Sequence, residues 1–511
     1  MNVFDLLAGA AARHGARVAV SDSRRSLTYR ELHERASAVA RGLLRSGRPP
    51  GARIGLLLHN SVEYAELLYG IAGAGMTAVH ISYHLKAAEI AYLLENSQAQ
   101  TLIYGNEFGD RAAELRIAHG YEPSHRDIVI GGTPELDRVD EYASWVQQNA
   151  GVLDSTGFER DPVFYLGYTS GTTGRPKGAL ITHRSRVLTA MAATIEYGFS
   201  DGDATLMCTP MHHGGPLVFV LTPLIVGGHL RIMEHFDEDE FAWNTERFGT
   251  SNCFVVPTIL SRLLAGDSRP LERCRASLRT IVSNAAPLAT PTKEALLAAL
   301  PEVNLNEFYG STEAGIVTNL RPTDQLSKVR CAGQPFFLNH VEILDAEGVP
   351  VAPGEVGRLF SSSPYAFDGY WNLPEATADA FVRGMVGVGD LARFDDEGFV
   401  YIVDRESDMI ITGGVNVYPR EIEDALLRHP EILEAAVVGQ PDDEWGEAIV
   451  AYVVCTADGV ADQAVAQAAT ELAAYKRPKV VIAVGQLPRN STGKLLKREL
   501  RAQHWNSDIQ V

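Results

Sequence analysis

Apolar and polar positions along the chain switch repeatedly between two periodicities. Residues 27–47, LTYRELHERASAVARGLLRSG, set apolar side chains at helical spacing and end on glycine, and ARIGLLL (52–58) follows as an apolar run of strand length. The alternation continues with SVEYAELLYGIAGAGM (61–76) as a helix, TAVHIS as a strand, LKAAEIAYLLENSQA (85–99) as a helix and TLIYG (101–105) as a strand. Strands alternating with helices of this length predict α/β layering with largely parallel sheets. The longest apolar run, GGPLVFVLTPLIVGG (214–228), is shorter than the ~18 residues of a membrane span and contains a proline. No repeat of fixed period interrupts the pattern.

The pattern changes near position 405. A turn-rich stretch, SSSPYAFDGYWNLPEATADAFVRGMVGVGDLARFDDEGFVYIVDR, gives way to a predicted helix over 421–432, strands over 434–440 and 447–454, and a helix over 461–474. This is a small α+β unit of domain size. It sets a boundary at 405–407, with a large domain at 1–404 and a small one at 408–511.

Composition narrows the partners. The 511 residues are 46% hydrophobic and 21% charged, ordinary for a globular chain able to bury a large core. Lys and Arg number 45 against 64 Asp and Glu, a net charge of -19 that disfavours broad nucleic-acid contact. The five cysteines (Cys208, Cys253, Cys274, Cys331, Cys455) are scattered without a metal-binding spacing, which fits a reduced, cytoplasmic setting. The N-terminus MNVFDLLAGAAARHG lacks a basic leader region and reads as a first helix. One stretch runs against the global charge: 475–501 carries eight basic residues and one acid, Glu499, a face that would attract the phosphates of a small anionic ligand.

The most informative segment is LGYTSGTTGRPKGALITH (166–183). Its glycines let backbone N–H groups point into one concavity, its hydroxyls add donors and Lys177 supplies countercharge, which suits a polyphosphate. The Walker A spacing is absent. The string closely resembles the phosphate loop of the adenylate-forming superfamily of acyl-CoA synthetases, luciferases and peptide-synthetase adenylation domains. LTYREL (27–32), PMHHGGP (210–216), SNAAPL (283–288), FYGSTEAG (308–315), GVGDLARFDDEGFVYIVDR (387–405), GGVNVYPREIE (413–423) and LPRNSTGKLLKREL (487–500) resemble further family motifs and occur in the family's order.

The resemblance implies a fold: a large N-terminal domain of layered α/β sheets with a small β-barrel-like subdomain, and a mobile small α+β C-terminal domain. It implies a reaction in which a carboxylate attacks the α-phosphate of ATP, releasing pyrophosphate, and a thiol, usually that of CoA, then displaces AMP. ATP, Mg2+ and CoA are the implied cofactors. Lys494 is the implied adenylation lysine, touching both carboxylate and phosphate. Glu313 is the implied magnesium ligand, a hard cation wanting carboxylate oxygen, and Thr312 the α-phosphate donor. Thr169, Ser170, Gly171, Thr172, Thr173, Gly174 and Lys177 would cradle phosphates. Tyr309 would stack on adenine beside Gly310 and Ser311, with Ala285, Ala286 and Pro287 offering backbone contacts. Asp390 would bind ribose and Arg405 ribose or phosphate.

His213 resembles the family's gating residue at the wall of the acyl pocket. By the same resemblance the pocket takes in Gly214, Phe219, Val256, Ser283, Asn284, Gly310, Ile316 and Val317, mainly small or apolar, which points to a medium-to-large apolar or cyclic acid. For Phe219 taken alone, core packing is the better account. Three departures stand out: SNAAPL where glycine is usual, Val388 where threonine precedes the Gly-Asp pair, and Ser407 at the hinge, usually Asp or Lys. Gly413 and Gly414 would keep the pantetheine tunnel open. The expected partners are the acid, ATP and CoA, with an acyl carrier protein as the alternative acceptor, and a monomer or homodimer. A non-catalytic nucleotide-binding module would have eroded Lys494, Glu313 or the 169–178 loop, and all are intact.

Overall fold

The computed structural model describes residues 2–153, 163–169, 175–265, 269–457, 459–489 and 495–502. They form two compact units, Met1–Val341 with Phe360–Val388, and Glu342–Leu359 with Gly389–Val511.

In the first unit, strands β1 (Val18–Ser21), β2 (Ser26–Thr28), β3 (Arg53–Leu57), β4 (Thr77–His80), β5 (Ala99–Gly105), β6 (Asp127–Ile130), β7 (Val139–Glu141), β8 (Val163–Thr169) and β9 (Lys177–Thr182) come first. They are followed by β10 (Ala204–Met207), β11 (His229–Ile232), β12 (Asn252–Val255), β13 (Thr280–Ser283), β14 (Asn304–Ser311), β15 (Gly315–Leu320) and β16 (Gln334–Pro335). One sheet runs β7-β6-β5-β3-β4-β8-β9, parallel except for the antiparallel β8–β9 pair. The other runs β16-β15-β14-β13-β12-β10-β11-β1-β2, parallel from β14 to β1. Parallel strands need crossovers, and helices α1 (Val3–His14), α2 (Tyr29–Arg45), α3 (Val62–Gly73), α4 (Ala87–Ser97), α5 (His183–Glu196) and α6 (Gly214–Val226) are among those that supply them or cover the faces.

Local chemistry sets several helix ends. Thr28 caps α2 through a capping box with Glu31, and Ser61 caps α3 by accepting from the Tyr64 amide. The apolar run at 214–228 is α6, with Pro216–Leu224 buried and Gly227 ending it at φ +69°. α3 and α5 touch the first sheet, α6 touches the second, and α5 packs on α6, so helices fill the space between the sheets.

The second unit takes in 342–359, where Gly357 and Arg358 pair antiparallel with Ala392 and Leu391, and then the antiparallel pair β17 (Asp390–Phe394) and β18 (Val400–Arg405). Then come β19 (Ile410–Thr412), β20 (Val415–Val417), α7 (Pro419–Leu426), β21 (Ile432–Asp442), β22 (Gly446–Cys455), α8 (Val460–Glu471), β23 (Val480–Ala483) and α9 (Lys497–Ala502). Their sheet runs β20-β19-β22-β21, with β23 parallel to β22. Alternate residues of β21 and β22 bury both faces: Val437, Ile449 and Ala451 pack with Ile422, Leu426 and Ala464, while Val438, Val450 and Tyr452 pack with Leu487 and Leu500. The helix expected over 421–432 stops at Leu426, because His429 precedes Pro430 and strand β21 starts two residues later. The fold is thus mixed α/β, with a large N-terminal sheet domain and a small α+β C-terminal domain. Among the described residues no helix is long and apolar enough to cross a membrane.

Candidate active site

The first unit brings four of the expected residues together at the end of the β8–β9 pair where the chain passes from one strand to the other. Thr169 and Lys177 are direct cross-strand partners there; Ser170, Gly171, Thr172, Thr173 and Gly174 between them lie outside the described residues. The Thr169 hydroxyl lies 3.4 Å from Glu313 Oε1, and the Tyr370 hydroxyl donates to the same oxygen at 2.8 Å. The Lys177 ammonium sits 5.1 Å from the centre of the Tyr370 ring. A Cβ on Gly167 would come within 2.9 Å of Thr312 Cγ2, so β8 runs hard against the turn that carries Thr312 and Glu313. Burial and the Glu313 charge push the Tyr370 phenol well above its usual range. The sequence reading missed Tyr370. Its position comes from backbone pairing, since the Leu180 amide donates to Gly369 O and the Trp371 amide to Gly178 O, each at 2.8 Å.

Tyr309, Gly310 and Ser311 end β14, and the Ser311 hydroxyl accepts from the Ala314 amide at 3.0 Å to close the turn into β15. Gly310 is obligatory, since a Cβ there would lie 2.1 Å from Gly315 O. Ser283 ends β13, fully buried, and its hydroxyl has no hydrogen-bond partner among the described residues. Asn284 bonds to Phe308 O. Ala285 has φ +83°, in the region that favours glycine, which explains why glycine is the common residue here. Ala285, Ala286 and Pro287 are exposed, their backbone open to a ligand.

His213 heads α6, with Gly214 next to it opposite the Tyr165 hydroxyl. Burial, then His84, lowers its pKa to about 4, and burial holds His80 at about 3 and His212 far below the usual value. His212 lies 4.2 Å from His213, ring centre to ring centre, and 5.0 Å from Tyr83. Phe219 is wholly buried and stacks on Phe254, Val256 flanks the core below β12, and Ile316 and Val317 are buried in β15. Asn60, also missed by the sequence reading, holds this region. Its amide donates to Thr209 O and Met233 O at 2.9 and 3.1 Å and its carbonyl accepts from the Met211 amide at 2.7 Å. It thereby fixes the 208–213 loop to the end of β3.

The second unit pairs Asp390 with Arg405 across β17 and β18, Oδ1 to Nε 3.3 Å. Ser407 is exposed in the following turn. Gly413 and Gly414, at φ +57° and +77°, form the two-residue turn between β19 and β20, which needs positive φ at both positions. A Cβ on Gly414 would meet nothing, whereas one on Gly413 would press the Trp445 ring at 2.9 Å, so turn geometry and this indole account for the pair. The Lys479 ammonium lies 4.9 Å from the Trp445 ring. Lys494 lies outside the described residues. The basic face expected over 475–501 is largely neutralised by acids distant in sequence: Lys476–Glu421, Lys479–Asp442, Arg489–Glu434, Lys497–Glu423 and Arg501–Asp408.

A hydroxyl-flanked carboxylate beside a glycine-rich hairpin, in a two-sheet α/β body with a small α+β unit after it, defines an adenylating enzyme. The chain belongs to the AMP-binding enzyme family, which residues 7–371 match, with residues 421–494 matching the family's C-terminal domain; it lies in the acyl-CoA synthetase branch of the adenylate-forming superfamily and is an AMP-forming acid–thiol ligase. It is 33% identical over 492 residues to the 2-succinylbenzoate–CoA ligase of Geobacillus kaustophilus, covering 95% of this chain and 94% of that one. It is 33% identical over 482 residues to a feruloyl-CoA synthase of an Amycolatopsis species, covering 93% and 94%. The o-succinylbenzoate CoA synthetase of Bacillus subtilis, solved with its acyl-adenylate intermediate, superposes with a TM-score of 0.86 at 26% identity, covering 98% of each chain. The same enzyme has been solved with ATP and a magnesium ion.

Proposed function

We propose that this protein activates a carboxylic acid with ATP to an acyl-adenylate, releasing pyrophosphate, and passes the acyl group to CoA with release of AMP. The observation that carries the reading is the convergence of Thr169, Lys177, Thr312 and Glu313 on one spot. Lys177 and the Thr169 and Thr312 hydroxyls bind the phosphates, and Glu313, an oxygen donor held by Tyr370 and Thr169, suits magnesium. Magnesium supplies charge neutralisation at the phosphates. Tyr309 and the exposed 285–287 backbone take the adenine; Asp390 and Arg405 take the ribose. Lys494 brings carboxylate and α-phosphate together by cancelling their repulsion. Residues 1–404 and 408–511 act as two domains that rotate about 405–407, exchanging Lys494 for the Gly413–Gly414 turn between the half-reactions.

The substrate is a medium-to-large cyclic or apolar acid entering past His213, Gly214, Phe219, Val256, Ser283, Asn284, Ile316 and Val317. The aromatic acids named in two relatives support this, as does the absence of an acidic side chain at Gly214–Gly215 to pair with an amino-acid ammonium. The setting is cytoplasmic, in keeping with five cysteines scattered without a metal-binding spacing. Because serine replaces the usual charged hinge residue, transfer to a carrier-protein thiol is the second reading.

A panel of benzoates, cinnamates, 2-succinylbenzoate, linear fatty acids, acetate and amino acids, each with ATP and Mg2+, tests this by pyrophosphate release and then by thioester after CoA is added. Cyclic acids should lead; preference for acetate or amino acids sinks the substrate assignment. Pyrophosphate without thioester favours the second reading. Lys494→Ala should lower pyrophosphate formation on the order of 100-fold or more while keeping thioester formation from preformed acyl-adenylate.

A further inference from the structure

The carboxylates on either side of Ser407, Glu406 and Asp408, are bonded in opposite directions along the chain. Arg405 pairs with Asp390, the Glu406 amide donates to Gly389 O at 2.8 Å, and the Glu406 carboxylate pairs with Arg358. All three partners precede the turn. Beyond it, Asp408 pairs with Arg501 at 2.8 Å, Ile410 with Val417 and Thr412 with Gly446, while the Met409 amide donates back to Arg405 O at 3.1 Å and the Arg420 amide back to Asp404 Oδ2 at 2.9 Å.

Arg501 belongs to α9, which starts three residues after Lys494. This helix is held firmly. Lys497 at its start pairs at 2.7 Å with Glu423 of α7, both side chains largely buried, and Glu423 also accepts from the Val437 amide at 2.8 Å. Leu500 is 1% exposed, and its carbonyl accepts from the Tyr452 hydroxyl at 3.3 Å. The bridge between Arg489 and Leu495 closes the chain on the other side of 490–494. A short helix packed at both ends therefore begins three residues after Lys494 and is bonded through Arg501 to Asp408, the last residue of the turn.

We propose that Asp408 and Arg501 are positioning residues of the adenylation half-reaction, tying the segment that carries Lys494 to the chain at the exit of the hinge. The proposal rests on the reading of Lys494 and Ser407 given above. An ordinary surface ion pair contributes little. This one is two-thirds or more buried on each side, spans 93 residues, and joins the two points whose relative placement the adenylation geometry needs. Small displacements of a reacting group are expensive in rate.

The test uses the full-length protein, the panel acid giving most pyrophosphate, and its chemically prepared adenylate. Asp408→Asn and Arg501→Gln should each lower the kcat of pyrophosphate formation about five- to tenfold, with KM for ATP within about twofold and thioester formation from the adenylate unchanged. The double variant should be no slower than the slower single, and Arg501→Lys should recover most of the rate. Unchanged pyrophosphate formation, equal falls in both half-reactions, or additive single effects would overturn the proposal. Lys494→Ala in parallel separates it from its basis. If that variant still makes pyrophosphate at the parent rate, the underlying reading fails; if it does not, while Asp408→Asn is unaffected, only the positioning pair fails.

Discussion

Glu313 takes both the Tyr370 and Thr169 hydroxyls on Oε1, and in the proposed function its Oε2 is the oxygen offered to magnesium. Tyr370→Phe removes the shorter of these bonds without changing shape, so KM for the magnesium–ATP complex should rise about tenfold, a loss of about 1.4 kcal/mol, readable in steady-state pyrophosphate release. Ala285 holds φ +83° with a β-carbon, and Ala285→Gly should raise stability by up to about 1 kcal/mol, measurable in urea melts. At this scale the loop chemistry picks out Thr169 and Lys177 and the family resemblance picks out Thr312 and Glu313, and the four lie near one another. Tyr370 was not legible, because a tyrosine in a turn-rich stretch has no spacing signature. Its role arises when 368–371 pairs with β9, an event set by backbone hydrogen bonds.

Elements were legible in kind and less so at their ends. α2, α3, α4 and the strands between them fall within two or three residues of expectation, because amphipathic spacing and side-chain caps mark them. α7 ended early at a proline signal that the apolar spacing of 421–432 masked. The basic stretch at 475–501 shows the limit of local reading, since its acids sit on α7, β21 and the hinge turn. Loop anchoring was likewise hidden. Asn60 joins the ends of β3, β10 and β11 with three bonds, and Asn60→Ala leaves two carbonyls and an amide buried without partners. It should lower stability by about 2–3 kcal/mol and raise KM for the acid, since the His212–His213 loop loses its anchor; a variant stable but unchanged in KM would contradict that anchoring.

Taken whole, the first unit holds a group of histidines in the neutral form. His213 at about 4, His80 at about 3, and His212, His59 and His84 below their ordinary value are all depressed first by burial, with mutual repulsion and Arg111 adding to it, while Glu107 and Glu234 lie near His59 and His235. A base whose folded pKa is depressed charges more readily in the unfolded chain, so its contribution is present above pH 6.5 and lost as pH falls toward 4. His213 alone accounts for about 3 kcal/mol of that loss. Urea midpoints should therefore drop steeply between pH 6.5 and 4, and His213→Gln should flatten the drop. In the second unit, Trp445 lies on Gly413 beneath the Lys479 ammonium, on the turn assigned to the thiol channel. That arrangement gives the enzyme an optical reporter of its own. A cation over an indole quenches and shifts emission, so CoA added to the acyl-adenylate complex should change tryptophan fluorescence at the rate of the second half-reaction. Trp445→Phe should silence the signal while leaving the chemistry visible by thioester assay.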